Sequence, residues 1–363
     1  MRIALITYST KPRGGVVHTL NLAEALAAMG QQVTVWTLAR QGDRGFFREV
    51  DPAVDVRLVD FGDRDDETVT DRIVRSIDSL RGSFTPDEYD IVHAQDCISA
   101  NAVGSCIRTI HHLDQFTTPI LAECHEKAVV EPYARICVSA AVATEVTAGW
   151  GLSPTVIPNG VCADRFIEAA SVSAAARRNR WRDDLGPYVL AVGGIEPRKG
   201  SLDLVRAYAL LRQQFPAVAL VIAGGETLFD YRDYRTDFEA LCAEVGVSPV
   251  ILGAVDDSEL PSLVAACEVF AFPSTKEGFG LAAMEALAAG RPVVTRDLPV
   301  LREVFGDTVR YACDPGGLAQ AMAAALGDNS RAAAGRALAE SMTWEAAARA
   351  HVDFYAAHRR LVT

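Results

Sequence analysis

The sequence predicts an α/β fold made of two doubly wound, Rossmann-like domains in one chain. Three observations carry this reading. Strand-like and helix-like segments alternate along almost the whole chain, the pattern of parallel sheets with right-handed crossovers. The 363 residues exceed one ordinary core, since domains average roughly 150 residues. A polar, alanine-rich stretch, "IEAASVSAAARRNRWRDDLG", interrupts the alternation and places a domain junction near residues 167–185.

The elements follow in order. "RIALITYS" is a buried strand, "TKPRGG" a loop, and "VVHTLNLAEALAAMG" an amphipathic helix. Its Leu20, Leu26 and Met29 recur at helical spacing until Gly30 stops it. "QQVTVWTL" is the second strand, and "AVDVRLVDF", "EYDIVHAQ", "TPILAE", "RICVSA" and "TVIPNG" continue the series. "TDRIVRSIDSL" and "AVATEVTAGW" are helices among them. Beyond the junction, "PYVLAVGG", "VALVIAGG", "PVILGAV", "VFAFPS", "RPVVTRD" and "VRYACD" are strands. "SLDLVRAYALLRQQF", "YRTDFEALCAEVG", "SELPSLVAACE" and a segment from about Phe279 are the intervening helices. The tail "TWEAAARAHVDFYAAHRRL" is an amphipathic helix with Thr343 as its cap and Glu345 in its first turn. The two halves share an architecture without sharing a sequence repeat.

Composition narrows the function. Half of the residues are hydrophobic and 23% are charged, so the chain is globular throughout. A net charge of −12 argues against nucleic acid, whose binding needs phosphate neutralisation by Lys and Arg. No apolar run approaches the ~18 residues of a membrane helix, and "MRIALITYST" enters a strand pattern without a cleavage signature. A cytoplasmic protein is expected, with peripheral attachment to a membrane left open. The eight cysteines stand singly in apolar segments and are expected to be reduced, small core residues.

The stretch "PSTKEGFGLAAMEALAAGRPVV" at 273–294 carries most of the chemistry. "VFAFPS" delivers the chain to the carboxyl edge of a parallel sheet, and Gly278 and Gly280 let backbone approach a ligand. The helix that follows offers unpaired N–H groups and a partial positive charge, an anion site made of backbone. Glu277 precedes that helix and Glu285 lies about two turns in, so both carboxylates can border one pocket. From spacing alone they are either helix dressing on a solvated face or groups that read ligand hydroxyls. Carboxylates accept hydrogen bonds and sugars donate them, which fits a nucleotide sugar.

Three further segments bear on this. "VGGIEPRKG" puts Arg198 and Lys199 on a short loop before a helix, a bidentate guanidinium and a compact ammonium suited to a diphosphate. The alternative is an exposed basic turn. "KPRGGVVHTL" opens the first helix with Gly14 and Gly15, which is not GxGxxG but can still bind an anion. "TIHHLD" at 109–114 pairs His111 with His112. With His93, Cys97, Cys124 and His125 it lacks ligand spacing, so no metal site is expected. The acidic run "DRDDE" at 63–67 reads as a solvated loop.

Together "GG" before helix one, "TIHH", "ICVSAAVATEV", "VIPNGV…DRF", "VGGIEPRKG", "VIAGG", the "EGFGL" core of an E-x7-E element and the tail "MTWEAAARAHVDFY" are similar to the retaining glycosyltransferases of family four, group-1 type. The resemblance spans nearly the whole chain. It implies the GT-B fold, two Rossmann-like domains facing each other across a cleft. The expected divisions are 1–170 on the acceptor side, 171–342 binding the nucleotide sugar, and a helix at 343–363 packing back on the N-terminal domain.

The resemblance also implies roles. Glu277 would hold donor sugar hydroxyls and Glu285 the ribose hydroxyls. Arg198, Lys199 and the amides around Gly278, Phe279, Gly280 and Leu281 would hold the diphosphate, with Gly14 and Gly15 approaching it. His111 would border the transferred sugar, so the expected catalytic set is His111, Glu277, Arg198 and Lys199. Gly194 stands where many members carry arginine, and Cys162 replaces the aspartate of "NGVD". The implied activity is metal-independent sugar transfer with retention, most simply of a hexose, from a nucleotide-diphosphate sugar acting as substrate rather than cofactor. The acceptor is a small molecule, a glycan or a lipid-linked group. The alternatives are another GT-B activity, a nucleotide-sugar epimerase or a phosphorylase, or a catalytically weak sugar-nucleotide-binding regulatory protein. Base selection is expected near "VILGAVDD" and "AGGETLFDY".

Overall fold

Thirteen parallel strands in two sheets organise the described part of the chain. The computed structural model describes residues 1–359 except 41, 63, 65, 66, 115, 117 and 226–230. Asp63, Asp65 and Asp66 of the acidic run, the whole "ETLFD" segment and residues 360–363 therefore lie outside the described residues. One unit comprises Met1–Gly160 with Trp344–Thr363, and the other Val161–Thr343. The alanine-rich stretch lies inside the second unit. There it forms the helices Ala163–Ala170 and Ala175–Leu185, both of which pack on the helix Leu260–Ala266.

In the first unit the strands are β1 (Arg2–Ile6), β2 (Gln32–Arg40), β3 (Val54–Phe61), β4 (Ile91–Ala94), β5 (Ile107–Ile110), β6 (Ala134–Cys137) and β7 (Thr155–Val156). Their order across the sheet is β3-β2-β1-β4-β5-β6-β7. Ile3 to Ile6 are fully buried, as expected where helices cover both faces of a parallel sheet. The helix Gly14–Ala28 buries Val16, Leu20, Ala23 and Leu26 at steps of three and four, and Gly30 follows with φ of +79°. Asp96 caps the helix Cys97–Val103 and Ser139 caps Ala140–Trp150, each accepting a backbone N–H of the first turn. Each such cap is worth about 1 kcal/mol. The helix Trp344–His358 packs on Gly14–Ala28.

One segment differs from its sequence reading. "TPILAE" is not a strand: Pro119 opens the helix Pro119–Val130, with Leu121, Ala128 and Val129 on its buried side. Proline fits a first helical turn, where its missing N–H costs nothing. The apolar run was too short to reveal its period. "TVIPNG" yields only the two-residue strand β7 before Pro158.

The second unit holds β8 (Tyr188–Val192), β9 (Ala219–Ala223), β10 (Val250–Gly253), β11 (Val269–Phe272), β12 (Val293–Arg296) and β13 (Arg310–Ala312) in the order β10-β9-β8-β11-β12-β13. The core on one face joins Val189, Leu220, Val269 and Val294 of the strands to Leu204, Tyr208, Phe238 and Met322 of the helices. Fully burying a side chain of this size gains roughly 1.5–3 kcal/mol. Strand order reverses between β1 and β4 in the first sheet and between β8 and β11 in the second. Ligands of doubly wound sheets bind outside the carboxyl ends at such points.

None of the eight cysteines forms a disulfide; Cys106, Cys137, Cys242 and Cys267 are buried and only Cys313 is exposed. Among the described residues no helix is long and apolar enough to cross a membrane.

Candidate functional site

The loops that leave β8 and β11 are neighbours because their strands pair, with Val189 beside Val269 and Leu190 beside Phe270. The first loop runs through a short 3-10 turn, Pro197–Lys199, and then Gly200 into the helix Ser201–Gln214. The second runs from Pro273 to Gly280 and enters the helix Leu281–Ala288. The Thr275 N–H donates to the Arg198 carbonyl at 2.8 Å and stitches the loops together. Gly200 has φ of +67°, and a Cβ there would stand 2.3 Å from the Pro273 carbonyl oxygen. Only glycine fits that contact.

This stitching brings three predicted residues into direct contact. Arg198 Nη1 donates to Glu277 Oε1 at 3.1 Å, and Lys199 Nζ donates to the same oxygen at 2.7 Å. Arg198 Nη2 also donates to Glu196 Oε1 at 3.1 Å. The Glu277 side chain is only 10% exposed, so its attraction to the two cations is screened less than on an open surface. Lys199 Nζ lies 5.2 Å from the centre of the Phe272 ring, a cation–π contact. Its stem runs along Gly193, where a Cβ would stand 3.3 Å from Lys199 Cε.

Gly280, with φ of +97°, sets the start of the neighbouring helix. The helix therefore begins at Leu281, two residues later than Phe279. A Cβ at Gly280 would stand 3.0 Å from Phe305, and among the described residues no side chain caps this helix start. Gly278, Phe279, Gly280 and Leu281 thus belong to the same loop and helix start as Glu277, with Phe279 buried.

Glu285 stands apart from this group. It is half-buried, its carboxyl has no hydrogen-bond partner among the described residues, and burial pushes that carboxyl up to about 7. Arg165 opposes that rise and Asp257 adds to it. These two are occupied with each other, Arg165 Nη2 donating to Asp257 Oδ2 at 2.7 Å.

In the first unit Gly15 and His111 adjoin: a Cβ on Gly15 would stand 3.6 Å from His111 Cδ2. Gly14 has open space around it. Burial holds the His111 imidazole well below the usual histidine range, so it is neutral at pH 7, and its buried Nε2 has no partner among the described residues. His112 faces Asp114, with Nε2 3.3 Å from Oδ1. Among the described residues no three His, Cys, Asp or Glu side chains converge as a metal site.

Several contributors had escaped the sequence reading. Arg296, at the end of β12 and 9% exposed, donates to the Pro273 and Cys313 carbonyls and to Asp203 Oδ2 at 2.6 Å. It fixes the β11 loop from below; a charged residue ending a buried strand was the available signal. His18 packs edge-on against His111 at 4.7 Å between ring centres, and its Nδ1 donates to Asn159 Oδ1 at 2.8 Å. Burial drives His18 down to about 3, so this support is uncharged too.

Comparison with known proteins adds a separate line of evidence. The family described as "Glycosyltransferase Family 4" matches residues 12–165, and "Glycosyl transferases group 1" matches residues 174–340. The chain is 28% identical to a D-inositol 3-phosphate glycosyltransferase of Xylanimonas cellulosilytica, over 98% of this chain and 96% of that one. It is 32% identical to a glycogen synthase of Mycobacterium tuberculosis, over 75% of this chain and 69% of that one. Among solved structures it is similar to Anabaena HepE in complex with UDP and glucose, with a TM-score of 0.74 at 19% identity, over 98% of this chain and 99% of that one.

Proposed function

The chain belongs to the group 1, family 4 glycosyltransferases, retaining enzymes of GT-B fold that use nucleotide-sugar donors, and from this premise we propose how its own residues perform the transfer. The donor is a nucleotide-diphosphate hexose, the anomeric configuration is retained, and no metal ion is required. The observation that carries the reading is the shared Glu277 oxygen, with Arg198 and Lys199 held side by side at the sheet's switch point.

When the donor binds, the two cations turn part of their hydrogen bonding from Glu277 to the diphosphate. A unit charge pair at ~4 Å is worth about 4 kcal/mol at an effective dielectric of 20, and the attraction grows as the leaving phosphate gains charge. The uncapped amides at Leu281 and Ala282 add backbone donors to the same anion. Glu277 orients the donor sugar through its hydroxyls. It is a poor nucleophile, because one oxygen already accepts from two cations. Glu285 accepts from the ribose hydroxyls, which favours its ionised form. For His111 we keep the role beside the transferred sugar, in which a neutral imidazole meets a hydroxyl through Nε2.

UDP-sugars are the first donors to test, since the Anabaena homologue was captured with UDP and glucose. In a thermal-shift panel of UDP-, GDP- and ADP-sugars, the true donor at 100 times its dissociation constant stabilises by about 2.7 kcal/mol. Lys199→Ala then lowers kcat by a factor equivalent to ~2–4 kcal/mol. Near-normal turnover of that variant at saturating donor refutes the assignment. Product analysis separates transfer from the other GT-B chemistries: epimerisation needs no acceptor, and phosphorolysis consumes phosphate.

A further inference from the structure

At the carboxyl edge of the first sheet, beside Gly14 at the start of the first helix, two arginines form no ion pair among the described residues. We propose that Arg13 and Arg40, arranged around Tyr8, form an anion site that takes a phosphate group of the acceptor. The acceptor part of this proposal rests on the glycosyl-transfer reading; the anion site does not.

Tyr8 follows β1, Arg40 is the last residue of β2, and Arg13 precedes the helix Gly14–Ala28. All three sit where a parallel sheet presents its ligand-binding edge. The Arg13 and Arg40 guanidinium carbons lie 5.7 and 5.6 Å from the Tyr8 ring centre, so the two cations share one aromatic platform. Arg13 Nη1 donates to the Tyr8 hydroxyl at 2.9 Å, and Arg40 Nη2 donates to Ser76 Oγ at 2.9 Å. Each side chain is half-buried, each has a buried Nε without a partner, and neither forms an ion pair among the described residues.

The nearby described carboxylates are engaged elsewhere. Asp96 accepts from the Tyr8 and Ser99 backbone and from the Ser99 hydroxyl. Asp43 takes Lys11 and Thr10, and Glu67 takes Arg75. Burial depresses Arg40 to about 10, with Arg72 and Arg13 adding repulsion. In a chain of net charge −12, two half-buried cations that repel each other carry a cost that an anion would relieve. A phosphate ester fits best, because paired guanidinium forks match its oxygens bidentately.

The phosphate could belong to a soluble phosphorylated polyol or to a phospholipid headgroup, and the test separates them. Calorimetry on the full chain, with saturating UDP to occupy the donor site, compares glycerol 3-phosphate with glycerol. Flotation compares phosphatidylcholine vesicles with and without phosphatidylinositol. The expected result is binding of the phosphate ester or of the phosphatidylinositol vesicles, but not of their neutral counterparts, weakened at least tenfold in Arg40→Gln and in Arg13→Gln. Binding in the vesicle arm alone identifies a lipid headgroup as the source. No binding in either arm, or affinities unchanged in both variants, overturns the site. The melting temperature of ligand-free Arg40→Gln is expected to stay level or rise; a drop of several degrees would make Arg40 a structural residue and also overturn the proposal. Failure of UDP itself to bind tells against the donor reading, while the two variants still decide the anion site.

Discussion

Replacing Glu285 with glutamine removes a charge that folding does not favour. Burial lifts this carboxyl from an ordinary 4.5 to about 7. At 1.36 kcal/mol per pH unit the displacement corresponds to roughly 3 kcal/mol. The folded state then binds more protons than the unfolded chain between about pH 4.5 and 7, so wild-type stability falls as pH rises through that window. Above it the full cost is present; below it the cost vanishes. Glu285→Gln is therefore expected to be more stable than wild type by about 3 kcal/mol at pH 8 and by less than about 1 kcal/mol at pH 5. For a unit of this size the gain at pH 8 corresponds to roughly 5–10 °C in melting temperature. Thermal melts of both proteins at the two pH values give the answer. The donor KM should rise at the same time, since the amide accepts ribose hydroxyls less well than a carboxylate. An equal stability difference at both pH values, or a less stable variant at pH 8, would refute the reasoning.

Other perturbations probe the loops that hold the site. Gly200→Ala forces a Cβ against the Pro273 carbonyl at a positive φ, and should cost several kcal/mol by the usual scale of backbone strain and overpacking; a denaturant midpoint close to wild type would contradict this contact. Arg296→Met leaves Asp203 Oδ2 and two carbonyls without this donor, with Arg206 still on Asp203 Oδ1, and should cost roughly 3 kcal/mol, partly recovered by Asp203→Asn in the same chain. Full stability of the single variant in urea unfolding would show that the clamp is dispensable. Activity is expected to survive EDTA, and loss restored by Mg²⁺ or Mn²⁺ would return attention to the acidic run at 63–67.

Most of the architecture was legible because parallel strands are buried on both faces and so read as plain apolar runs, as "VFAF" and "YVLAV" do. "TPILAE" misled for the same reason: six residues of mixed apolar character have no measurable period, and the proline that opens the helix resembles a strand boundary. For the site, sequence could place Arg198, Lys199 and Glu277 on loops, because glycine and proline mark where strands stop. It could not show that Lys199 and Arg198 meet on one oxygen of Glu277, since that depends on β8 lying beside β11 although 79 positions separate Arg198 from Glu277. Glu285 had two open readings, and its environment was invisible because Arg165 and Asp257 come from distant parts of the unit. His18 was hidden as one more residue on a helix face, and its meaning depends on the position of the "TIHH" strand.

The return of the helix Trp344–His358 to the first unit has a consequence for biosynthesis. His93, on the central strand β4, uses its two ring nitrogens on Thr109 and on the Tyr355 hydroxyl, the latter 262 positions away. His18 and His351 pack into the same interior, with Trp344 against His18. During synthesis the first unit exposes this surface from the time its sheet forms until residue 355 has been made. The second unit, contiguous from Val161 to Thr343, has by then been completed. The half that emerges first is thus the half that finishes last. In the interval its unsealed polar and apolar interior is open to misassembly, the hazard expected of a contact that closes so long a loop.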